Sequence, residues 1–454
     1  MSPLRTRLPN GLLVLLQPIH TAPLISQWLW YRVGSRNEVP GLTGVSHWTE
    51  HMQFKGTPAF PNGVLDKAIS RFGGYWNAMT SLDWTVYYET LPAAKIDLAL
   101  ALEADRMVNS LFEPDEVESE RTVIISERQG DENNPFFLLA EAVQKAAFPP
   151  GHPYHHEIIG EMTDLRTITR DDLYRHYRTH YTPGNAVLAL AGDFDPDDML
   201  GRIRARYEPL SGNGAAEWRN DVSLNEVSPI ETSPAQSKDT STSSREGFAV
   251  DWARATSGRV TVQGPGETVF FQAAYSAPHA AHPDFIPLGV LDSLLTGASN
   301  PTSFGGNLSN KTSRLYRALV EKDLAVSVSG GMQATIDPYL YSITALVHPN
   351  QSVDSVVQAM DDEIRRLQEA PPPQAALERA VKQARALFAY DSESITNQAL
   401  WLGLTEMFAT YEWFITYLDR LETITPEDVQ RVAQTYLDSD KRVLGEFLPV
   451  DSVQ

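Results

Sequence analysis

Two histidines and a glutamate with helical spacing lie in the stretch from Gly44 to Met52. His47 and His51 are four residues apart, and Glu50 follows His47 by three residues. On a helix these three side chains share one face, so both imidazoles can point at a single metal ion. Glu50 can then reach a water molecule on that ion without being a ligand itself. The spacing is compatible with a metal site, although two histidines four residues apart on an apolar helix are more often ordinary surface or core residues.

The order H-x-x-E-H is the reverse of the H-E-x-x-H helix found in many zinc peptidases. A catalytic zinc needs three protein ligands and one open position for water. The chain contains no cysteine, so its ligands must be histidines and carboxylates, and thiolate catalysis is excluded. No further histidine follows closely, which leaves a carboxylate as the expected third ligand. The helix predicted from Pro114 offers Glu120 and Glu127, which are seven residues apart and nearly on one face.

Two other groups of histidines are weaker candidates for a metal site. His152, His155 and His156 lie in a Pro-containing loop without a clear helical frame, and their roles stay open. His176 and His180 are four residues apart, but no Glu stands between them at the required position. We expect this second pair to lie on a helix surface.

Composition limits the classes of function. The chain has 454 residues, a formal net charge of −21, 42% hydrophobic residues and 21% charged residues. These values are typical of a soluble globular protein with two or three domains. Phosphate-backbone binding needs clustered Lys and Arg, so the charge argues against a nucleic-acid partner. An acidic enclosure would favour basic ligands, although a solvated acidic surface explains the charge as simply.

The apolar run at residues 11–16 is too short to span a bilayer and has no small-residue cleavage site. It is predicted to be a strand, and we expect no membrane association. The expected location is therefore the cytoplasm, or the periplasm if an export signal is missing from this chain.

Several elements must position the candidate residues. Residues 11–17 and 24–33 are predicted to be paired strands, 75–88 one long or two short strands, and 187–191 a buried strand. Helices are predicted near Ser46, at 64–72 and 96–108, from Pro114 onward, and at 135–148.

Residues 211–256 are polar and low in complexity, which predicts a flexible linker. It separates an N-terminal, zinc-binding catalytic domain, residues 1–210, from a C-terminal domain, residues 257–454, that lacks the metal motif.

The two halves repeat one helix start. Thr169 and Thr425 each precede a helical stretch and are followed three residues later by Asp172 and Asp428. This is an N-cap signature worth about 1 kcal/mol, and each helix leads to an apolar strand. Its symmetric placement about the linker predicts two tandem homologous domains.

With these residues the chain resembles the pitrilysin family of zinc metallopeptidases, which includes insulin-degrading enzyme, the mitochondrial processing peptidase and half-length bacterial relatives. The resemblance covers nearly the whole chain and implies an α+β fold of two homologous domains, each a β-sheet packed with helices. It is carried by residues 41–57, 73–80 and 120–127, His152-Pro153-Tyr154, Asp164-Leu165, Asn185-Ala186 and Gly192-Asp193.

The resemblance also implies roles for residues of this chain. Glu127, seventy-six residues after His51, falls where family members carry the third zinc ligand, so one Zn²⁺ per chain is expected on His47, His51 and Glu127. Glu50 would be the general base. Glu120, seven residues before Glu127, falls where family members carry an acidic residue that supports the site. A solvated helix charge is the alternative for Glu120.

Asn77 and Ala78 match a strand edge on which family members bind peptide as an added β-strand. The alternative for Asn77 is a turn or strand-edge residue without a role in substrate binding.

The second half departs from the family pattern. Complete family enzymes carry an Arg and, seven residues later, a Tyr that grip the substrate and polarise its carbonyl. Here the stretch Leu319–Val328 is one residue shorter, with Val320 and Val326 at those positions. Losing such a partner raises a reaction barrier by on the order of 3 kcal/mol. A heterodimer is therefore predicted, in which a homologous subunit without the zinc motif supplies the Arg and Tyr.

The function predicted from the sequence is that of a zinc endopeptidase of peptides or unfolded segments. A non-catalytic subunit of the same fold and a presequence-processing subunit are the alternatives. All four residues of the zinc motif survive in this chain, which favours catalysis.

Overall fold

The computed structural model describes residues 3–210, 258–299 and 311–450, and the predicted linker lies outside them. The described strands are β1 (Leu4–Arg7), β2 (Leu13–Pro18), β3 (Leu24–Tyr31), β4 (Tyr75–Thr80), β5 (Thr85–Pro92), β6 (Ala186–Gly192), β7 (Gly258–Pro265), β8 (Phe270–Ala277), β9 (Ala325–Met332), β10 (Tyr339–Val347) and β11 (Val443–Val450).

The described α-helices are α1 (Val45–Met52), α2 (Val64–Arg71), α3 (Ile96–Asn109), α4 (Pro114–Glu132), α5 (Pro135–Ala147), α6 (Met162–Leu165), α7 (Arg170–His180), α8 (Pro196–Tyr207), α9 (Phe285–Leu295), α10 (Val353–Glu369), α11 (Gln374–Asp391), α12 (Ile395–Phe408), α13 (Tyr411–Glu422) and α14 (Pro426–Tyr436). A π-helical turn covers Tyr316–Val320. The helices predicted at the start of the zinc motif, at 64–72 and 96–108, from Pro114 and at 135–148 are confirmed. None of the helices in the described ranges is long and apolar enough to cross a membrane.

The strands form two sheets with the same internal topology. The first has the order β1-β2-β6-β3-β5-β4 and the second the order β7-β11-β8-β10-β9. If β1 is left out, each sheet has five strands, and their spatial order in terms of chain position is first, fifth, second, fourth and third in both sheets. β2 lies parallel to β6 and β7 lies parallel to β11, whereas the other neighbours are antiparallel. The prediction of two homologous α+β domains is confirmed by this repeat.

The prediction that residues 11–17 and 24–33 pair with each other is wrong. β6 lies between β2 and β3, parallel to the first and antiparallel to the second. All seven residues of β6 are buried. A strand that is apolar on both faces is stable only in the middle of a covered sheet, so β6 occupies the central position.

The repeated helix starts form equivalent caps. The Thr169 hydroxyl accepts the Asp172 N–H, and the Asp172 carboxylate accepts the Thr169 N–H in return. Thr425 and Asp428 make the same reciprocal bonds. These capping boxes start α7 and α14, which lead to the equivalent strands β6 and β11.

Each sheet is covered on one face by a helix from the other half. α12 packs on β3 and β6, and α5 packs on β11, β7 and β8. A Cβ atom at Gly403 would overlap the Trp30 indole, and one at Gly445 would overlap Val143. Because of this exchange, one hydrophobic core extends across both halves and joins Trp28 to Trp401.

The opposite face of the first sheet is covered by helices of its own half. α1, α3, α7 and α8 contribute buried apolar residues to this second core. α1 also contacts α7, α4 and the edge strand β4. The helix with the candidate metal ligands is thus packed on three sides.

Candidate metal centre

The N-terminus of α1 is capped by a buried glutamate from the preceding loop. Gly44, the residue before α1, has a φ of 89° and offers no capping side chain. The Glu38 carboxylate instead accepts the N–H groups of Gly44 and Ser46, both at 2.7 Å. His156 Nε2 lies 2.9 Å from Glu38 Oε2. Carboxylates stabilise helix N-termini by neutralising the unpaired amides and the helix dipole, so this contact fixes the start of α1.

The environment of His156 favours its protonated form. Burial lowers its pKa, but the hydrogen bond and the charge of Glu38 outweigh burial and raise it overall. The Glu38 side chain is fully buried, so the two groups form an ion pair inside the protein.

The prediction that His176 lies on a helix surface is wrong. Its side chain is buried against α1, and its Nε2 lies 3.2 Å from the Ser46 hydroxyl. Burial, followed by the charge of His180, lowers the pKa of His176 to about 3. The residues that flank His176 in the sequence do not predict this burial, because the contact between α7 and α1 depends on the tertiary fold.

His47, His51 and Glu127 converge between α1 and α4. One ligating atom from each lies within 4.8 Å of the others, and among the described residues they are the only such group of three. The His47 and His51 rings have centroids 4.7 Å apart. Packing of α1 against α4 therefore brings together residues that are seventy-six positions apart in the chain.

His47 is held as a neutral imidazole. Burial, followed by the charge of His51, lowers its pKa to about 3. Its Nδ1 is buried and has no hydrogen-bond partner among the described groups. A neutral imidazole keeps the lone pair that a metal ion requires.

His51 is oriented by Glu120. His51 Nδ1 lies 2.8 Å from Glu120 Oε1, and because a carboxylate only accepts, this nitrogen carries the proton. His51 Nε2 then faces Glu127, 3.7 Å from its Oε2. Lys55 pairs with the other oxygen of Glu120. Glu120 therefore contacts a candidate ligand directly.

These contacts shift the pKa values of both partners. Burial lowers the pKa of His51, but the hydrogen bond that His51 donates to Glu120 and the charges of Glu127 and Glu50 raise it by more. Burial raises the pKa of Glu120, and its bonds to His51 and Lys55 lower it by more. Glu120 is thus an anion that accepts the hydrogen bond from His51 Nδ1 and keeps the proton on that nitrogen.

Glu50 lies beside the three ligands and is held by β4. The Thr80 hydroxyl donates to Glu50 Oε2 at 2.7 Å. Burial raises the pKa of Glu50, and the bond from Thr80 partly offsets this rise. A raised pKa brings the carboxyl closer to the range in which it both accepts and returns protons near neutral pH.

The site opens into a cleft of about 470 Å³. Acidic and apolar side chains share its walls, which comprise His47, Glu50, Ala78, Met79, Thr80, Glu127, Asp131, Phe137, Glu157, Ile158 and Ile159. Burial, followed by the charge of Glu141, raises the pKa of Glu157 to about 7. Glu157 could not be selected from the sequence, since a single acid in a loop carries no spacing signal.

The donor set fits a zinc ion. Zinc in catalytic sites is held by neutral imidazoles and a carboxylate, with an acidic residue behind one histidine. His47 is neutral and has an unpaired buried nitrogen, and His51 turns its other nitrogen towards Glu127. The part of the chain that is described thus offers two imidazoles, one ligating carboxylate and one supporting carboxylate in a single cluster.

Asn77 and Ala78 lie on the outermost strand of the first sheet, next to this cleft. β4 pairs with β5 on one side and is the outermost strand of the first sheet. The Asn77 side-chain oxygen accepts the Ala78 N–H at 2.9 Å. Ala78 lines the cleft directly, whereas Asn77 is exposed.

The loop after β4 is held by the second half of the chain. The Gln333 amide donates to the Ser81 hydroxyl at 2.9 Å, and the Ile336 N–H donates to Asp83 Oδ2 at 2.8 Å. Arg36 lies 3.3 Å from Asp83 and also pairs with Asp337. These contacts lie directly after Thr80, the residue that holds Glu50.

The remaining residues selected from the sequence do not join the centre. His155 Nδ1 bonds the Phe148 carbonyl at 2.7 Å, and His152 accepts the Tyr154 N–H, so the loop histidines do not form a metal cluster among the described residues. Val326 is 52% exposed on the edge strand β9, and Val320 is half-buried. Neither valine offers a polar group to a substrate.

Thr80, Glu38 and Asp83 could not be selected from the sequence. Thr80 has no motif of its own, and its bond to Glu50 arises only because β4 packs beside α1. Glu38 precedes the helix by too many residues to be recognised as a cap, since it reaches α1 through an intervening loop.

Two family models match this chain. The model described as "Insulinase (Peptidase family M16)" matches residues 13–159, and the model described as "Peptidase M16 inactive domain" matches residues 167–384.

Proteins named as zinc proteases resemble the chain over most of its length. An uncharacterized zinc protease of Streptomyces coelicolor is 28% identical over 443 residues, which cover 95% of this chain and 87% of that protein. Zinc protease PqqE of Helicobacter pylori is 27% identical, covering 94% of this chain and 89% of the relative. The mitochondrial-processing peptidase subunit beta of Lentinula edodes is 26% identical, covering 98% of this chain and 90% of that subunit.

Solved structures share the fold. A protease from Helicobacter pylori superposes with a TM-score of 0.81 at 25% identity, covering 99% of each chain. A Pseudomonas fluorescens structure titled as a peptidase M16 inactive domain has a TM-score of 0.81 at 18% identity, covering 100% of this chain and 99% of the other. The second likeness concerns the fold alone.

Proposed function

This chain belongs to the M16, or insulinase, family of peptidases, and we propose that it is a zinc-dependent endopeptidase of peptides or unfolded polypeptide segments. The convergence of His47, His51 and Glu127, with Glu50 beside them, carries the proposal. An incomplete set of these residues would have favoured a non-catalytic role.

The first step is metal binding by this chain's own residues. His47, His51 and Glu127 would hold one Zn²⁺ per chain, with a neutral His47 and with His51 turned by Glu120. When bound, zinc supplies Lewis acidity that lowers the pKa of water towards ~7 and polarises a carbonyl. Glu120 would then maintain the orientation of His51, as acidic partners of zinc-binding histidines do.

Glu50 would act as the general base. It would take the proton of the attacking water and return it to the leaving amine. Its bond from Thr80 directs the carboxylate, and burial raises its pKa towards the working range of such a base. The scissile peptide bond would lie in the cleft that Glu50 and Thr80 both line.

The free edge of β4 would bind the substrate backbone. An extended peptide can add to an exposed strand through main-chain hydrogen bonds, which read conformation more than side chains. Ala78 and Met79 place this edge along the cleft beside Glu50. Asn77 would contact the peptide from the exposed side of the same strand.

A homologous subunit would complete the site. Val320 and Val326 offer no hydrogen-bond donor at the positions where complete family enzymes carry Arg and Tyr. A partner without the zinc motif would supply those groups, and one relative of this chain is itself named as a subunit. Affinity purification of the tagged chain from its native source should recover this partner. Full peptidase activity of the isolated chain would contradict the proposed heterodimer.

Replacement of Glu50 tests the catalytic proposal. Glu50→Gln removes the base but keeps the side-chain shape, so we expect turnover to be lost while metal analysis still finds about one zinc per chain. His51→Ala and Glu127→Ala should lose the zinc as well. Glu113→Gln, an exposed acid at the start of α4, is the matched control and should keep both properties. A fully zinc-loaded Glu127→Ala protein would exclude Glu127 as a ligand.

The alternative functions are a non-catalytic subunit and a presequence-processing subunit. The second family model is described as an inactive domain, which supports the first alternative. The Lentinula relative is named as a subunit of a processing peptidase, which supports the second. A peptide-library digest separates the possibilities: no cleavage by the zinc-loaded, partnered protein identifies a non-catalytic subunit. Cleavage confined to presequence peptides identifies processing, and cleavage of unrelated unfolded peptides supports the general endopeptidase.

A further inference from the structure

A row of aromatic rings crosses the first sheet and ends on the strand that borders the metal cleft. Trp28 on β3 lies directly opposite Tyr88 on β5, and their rings stack with centroids 4.0 Å apart and 4° between the planes. Trp30 stacks on Trp28 with centroids 5.6 Å apart. Tyr75, the first residue of β4, lies diagonally across from Tyr88 and completes the row, with centroids 5.9 Å apart.

The row passes from the core to the surface. Trp28 is 1% exposed and belongs to the core that joins both halves, whereas Tyr75 is 58% exposed. Tyr88 is half-buried between them, and its hydroxyl lies 3.5 Å from the Tyr75 hydroxyl. Stacking on the buried indole restricts the Tyr88 ring. A tyrosine at the exposed end offers a large contact area and has only two side-chain torsions to order when a ligand binds.

On β4 and β5, the sheet face that carries Tyr75 has no charged side chain. Successive side chains of a strand point to opposite faces, and residues paired across two strands share a face. The pairs on this face are Tyr75 with Thr90, Asn77 with Tyr88 and Met79 with Val86. Four carboxyl groups, by contrast, line the metal cleft. The surface around Tyr75 therefore favours an uncharged ligand group.

A peptide that adds to β4 would run alongside Tyr75. Residues opposite each other on neighbouring strands have Cβ atoms about 5 Å apart and side chains on the same face. The substrate residue opposite Tyr75 would therefore place its side chain against the tyrosine ring. Tyr75 precedes the cleft-lining residues 78–80 by three to five positions, or roughly 10 to 17 Å along a strand. The contact would thus lie well outside the metal cleft.

We propose that Tyr75 and Tyr88 form a subsite that selects an aromatic side chain of the substrate, three to five residues from the bond that is cleaved. The inference rests on the proposed peptidase function and on addition of the peptide to β4. It adds a specificity-determining contact, since neither tyrosine lines the metal cleft. Aromatic pairs gain energy beyond the area that they bury, which corresponds to roughly a three- to tenfold change in affinity.

Two other kinds of side chain fit this surface less well. An aliphatic side chain would bury area against the rings, but it lacks the ring quadrupole that stabilises an aromatic pair. A guanidinium group can also stack on a tyrosine ring, but no carboxylate on this face of β4 and β5 would pair with it once water is displaced. Phenylalanine, tyrosine and tryptophan are therefore the expected residues.

Steady-state kinetics on a peptide series test the proposal. The peptides share one cleavable sequence and carry a single Phe that is moved residue by residue away from the cleaved bond on either side, with Ser at the other test positions. The enzyme is the zinc-loaded full chain together with any partner that co-purifies with it. We expect KM to be three- to tenfold lower when the Phe lies three to five positions away on one side. We expect kcat to change little, because the ring contacts no reacting atom, and Leu or Arg at that position should lower KM by less.

Variants of Tyr75 locate the effect. Tyr75→Thr removes the ring and leaves a β-branched residue that suits a strand, so it should abolish the preference for Phe. Its zinc content and thermal unfolding should match those of the unmodified protein, since Tyr75 is exposed. Tyr75→Phe keeps the ring and should keep the preference. Tyr390→Ala is the matched control, because Tyr390 is 67% exposed on α11 of the second half, and it should leave the preference unchanged.

A preference for Phe that survives in Tyr75→Thr would overturn the subsite, as would equal KM values at every Phe position or a lower KM with Arg than with Phe. If no peptide is cleaved, the peptidase proposal fails instead. Fluorescence anisotropy of labelled copies of the same peptides on the zinc-loaded Glu50→Gln protein then still measures the contribution of Tyr75. Equal affinities for the Phe and Ser peptides in that measurement would overturn the subsite independently of catalysis.

Discussion

At the scale of single residues, the candidate centre holds two imidazoles in different environments. Burial keeps His47 neutral with a pKa of about 3, whereas Glu120 and Glu127 raise the pKa of His51. Neutral His47 keeps a lone pair of the kind that a metal ion requires. In His51, the hydrogen bond to Glu120 keeps a proton on Nδ1, and Nε2 is directed at Glu127.

Replacing Glu120 by Gln should weaken zinc binding. The amide keeps a hydrogen-bond acceptor but loses the charge that stabilises His51, and such partners typically contribute 10- to 100-fold in metal affinity. Competition with a zinc chelator measures the change. Glu116→Gln is the control, because Glu116 lies 3.8 Å from Lys55 and does not contact His51. An unchanged zinc affinity in Glu120→Gln would show that Glu120 is only a helix charge.

Replacing Thr80 by Val should shift the pH dependence of activity. The Thr80 hydroxyl lowers the pKa of Glu50, so its removal raises that pKa further. Because the ionised carboxylate is the active base, the acid limb of the profile of kcat/KM against pH should move to higher pH. Zinc content should stay constant. Thr122→Val, at an exposed position of α4, should leave the profile in place, and an unshifted profile in Thr80→Val would exclude the role of this bond.

At the scale of elements, the orientation of α1 depends on contacts outside the helix. Glu38 caps its first amides, α7 packs along it through His176, and α4 supplies Glu127 and Glu120. Eight residues are too few for a helix to be stable alone, so these contacts determine where the zinc motif lies.

The ion pair between Glu38 and His156 should make stability depend on pH. The pKa of His156 is raised in the folded state, so its contribution is fully present below the unfolded value of about 6.5. The contribution is lost as the pH rises through the folded value. The free energy of unfolding, from urea titrations, should therefore fall more for His156→Gln at pH 6 than at pH 9. His155→Gln, which removes a histidine outside this ion pair, is the control, and equal losses at both pH values would contradict the ion pair.

At the scale of the whole molecule, the two halves cannot be treated as independent domains. Each covers a sheet of the other through α12 and α5, and one core runs through both. The second half also holds the loop after β4 through Gln333, Ile336 and Asp337. This loop continues directly from Thr80, whose hydroxyl donates to Glu50.

Loosening this contact should reduce turnover without removing the metal. In a Gln333→Ala, Asp337→Asn double variant, Ser81 loses the hydrogen bond from Gln333, and Arg36 loses the negative charge of Asp337. We expect kcat to fall several-fold while KM and zinc content change little, as steady-state kinetics and metal analysis would measure. Gln351→Ala, at an exposed position of the second half, is the control. A change confined to thermal stability would show that the contact is structural only.

The sequence predicted those features that depend on local spacing. Helical periodicity placed His47, Glu50 and His51 on one face, and Thr169 and Thr425 marked equivalent helix starts that the structure repeats. The third ligand was chosen between Glu120 and Glu127 only through the family resemblance, since both lie on the same helical face.

Residue types and short-range periodicity alone encode the H-x-x-E-H motif, the absence of thiol chemistry and the repeated helix starts at Thr169 and Thr425. The α+β fold is implied by the family resemblance. Tertiary packing places β6 between β2 and β3, buries His176 and brings the Thr80 hydroxyl to Glu50. Each of these depends on which surfaces pack together, and packing between distant segments leaves no periodic signal in a single chain.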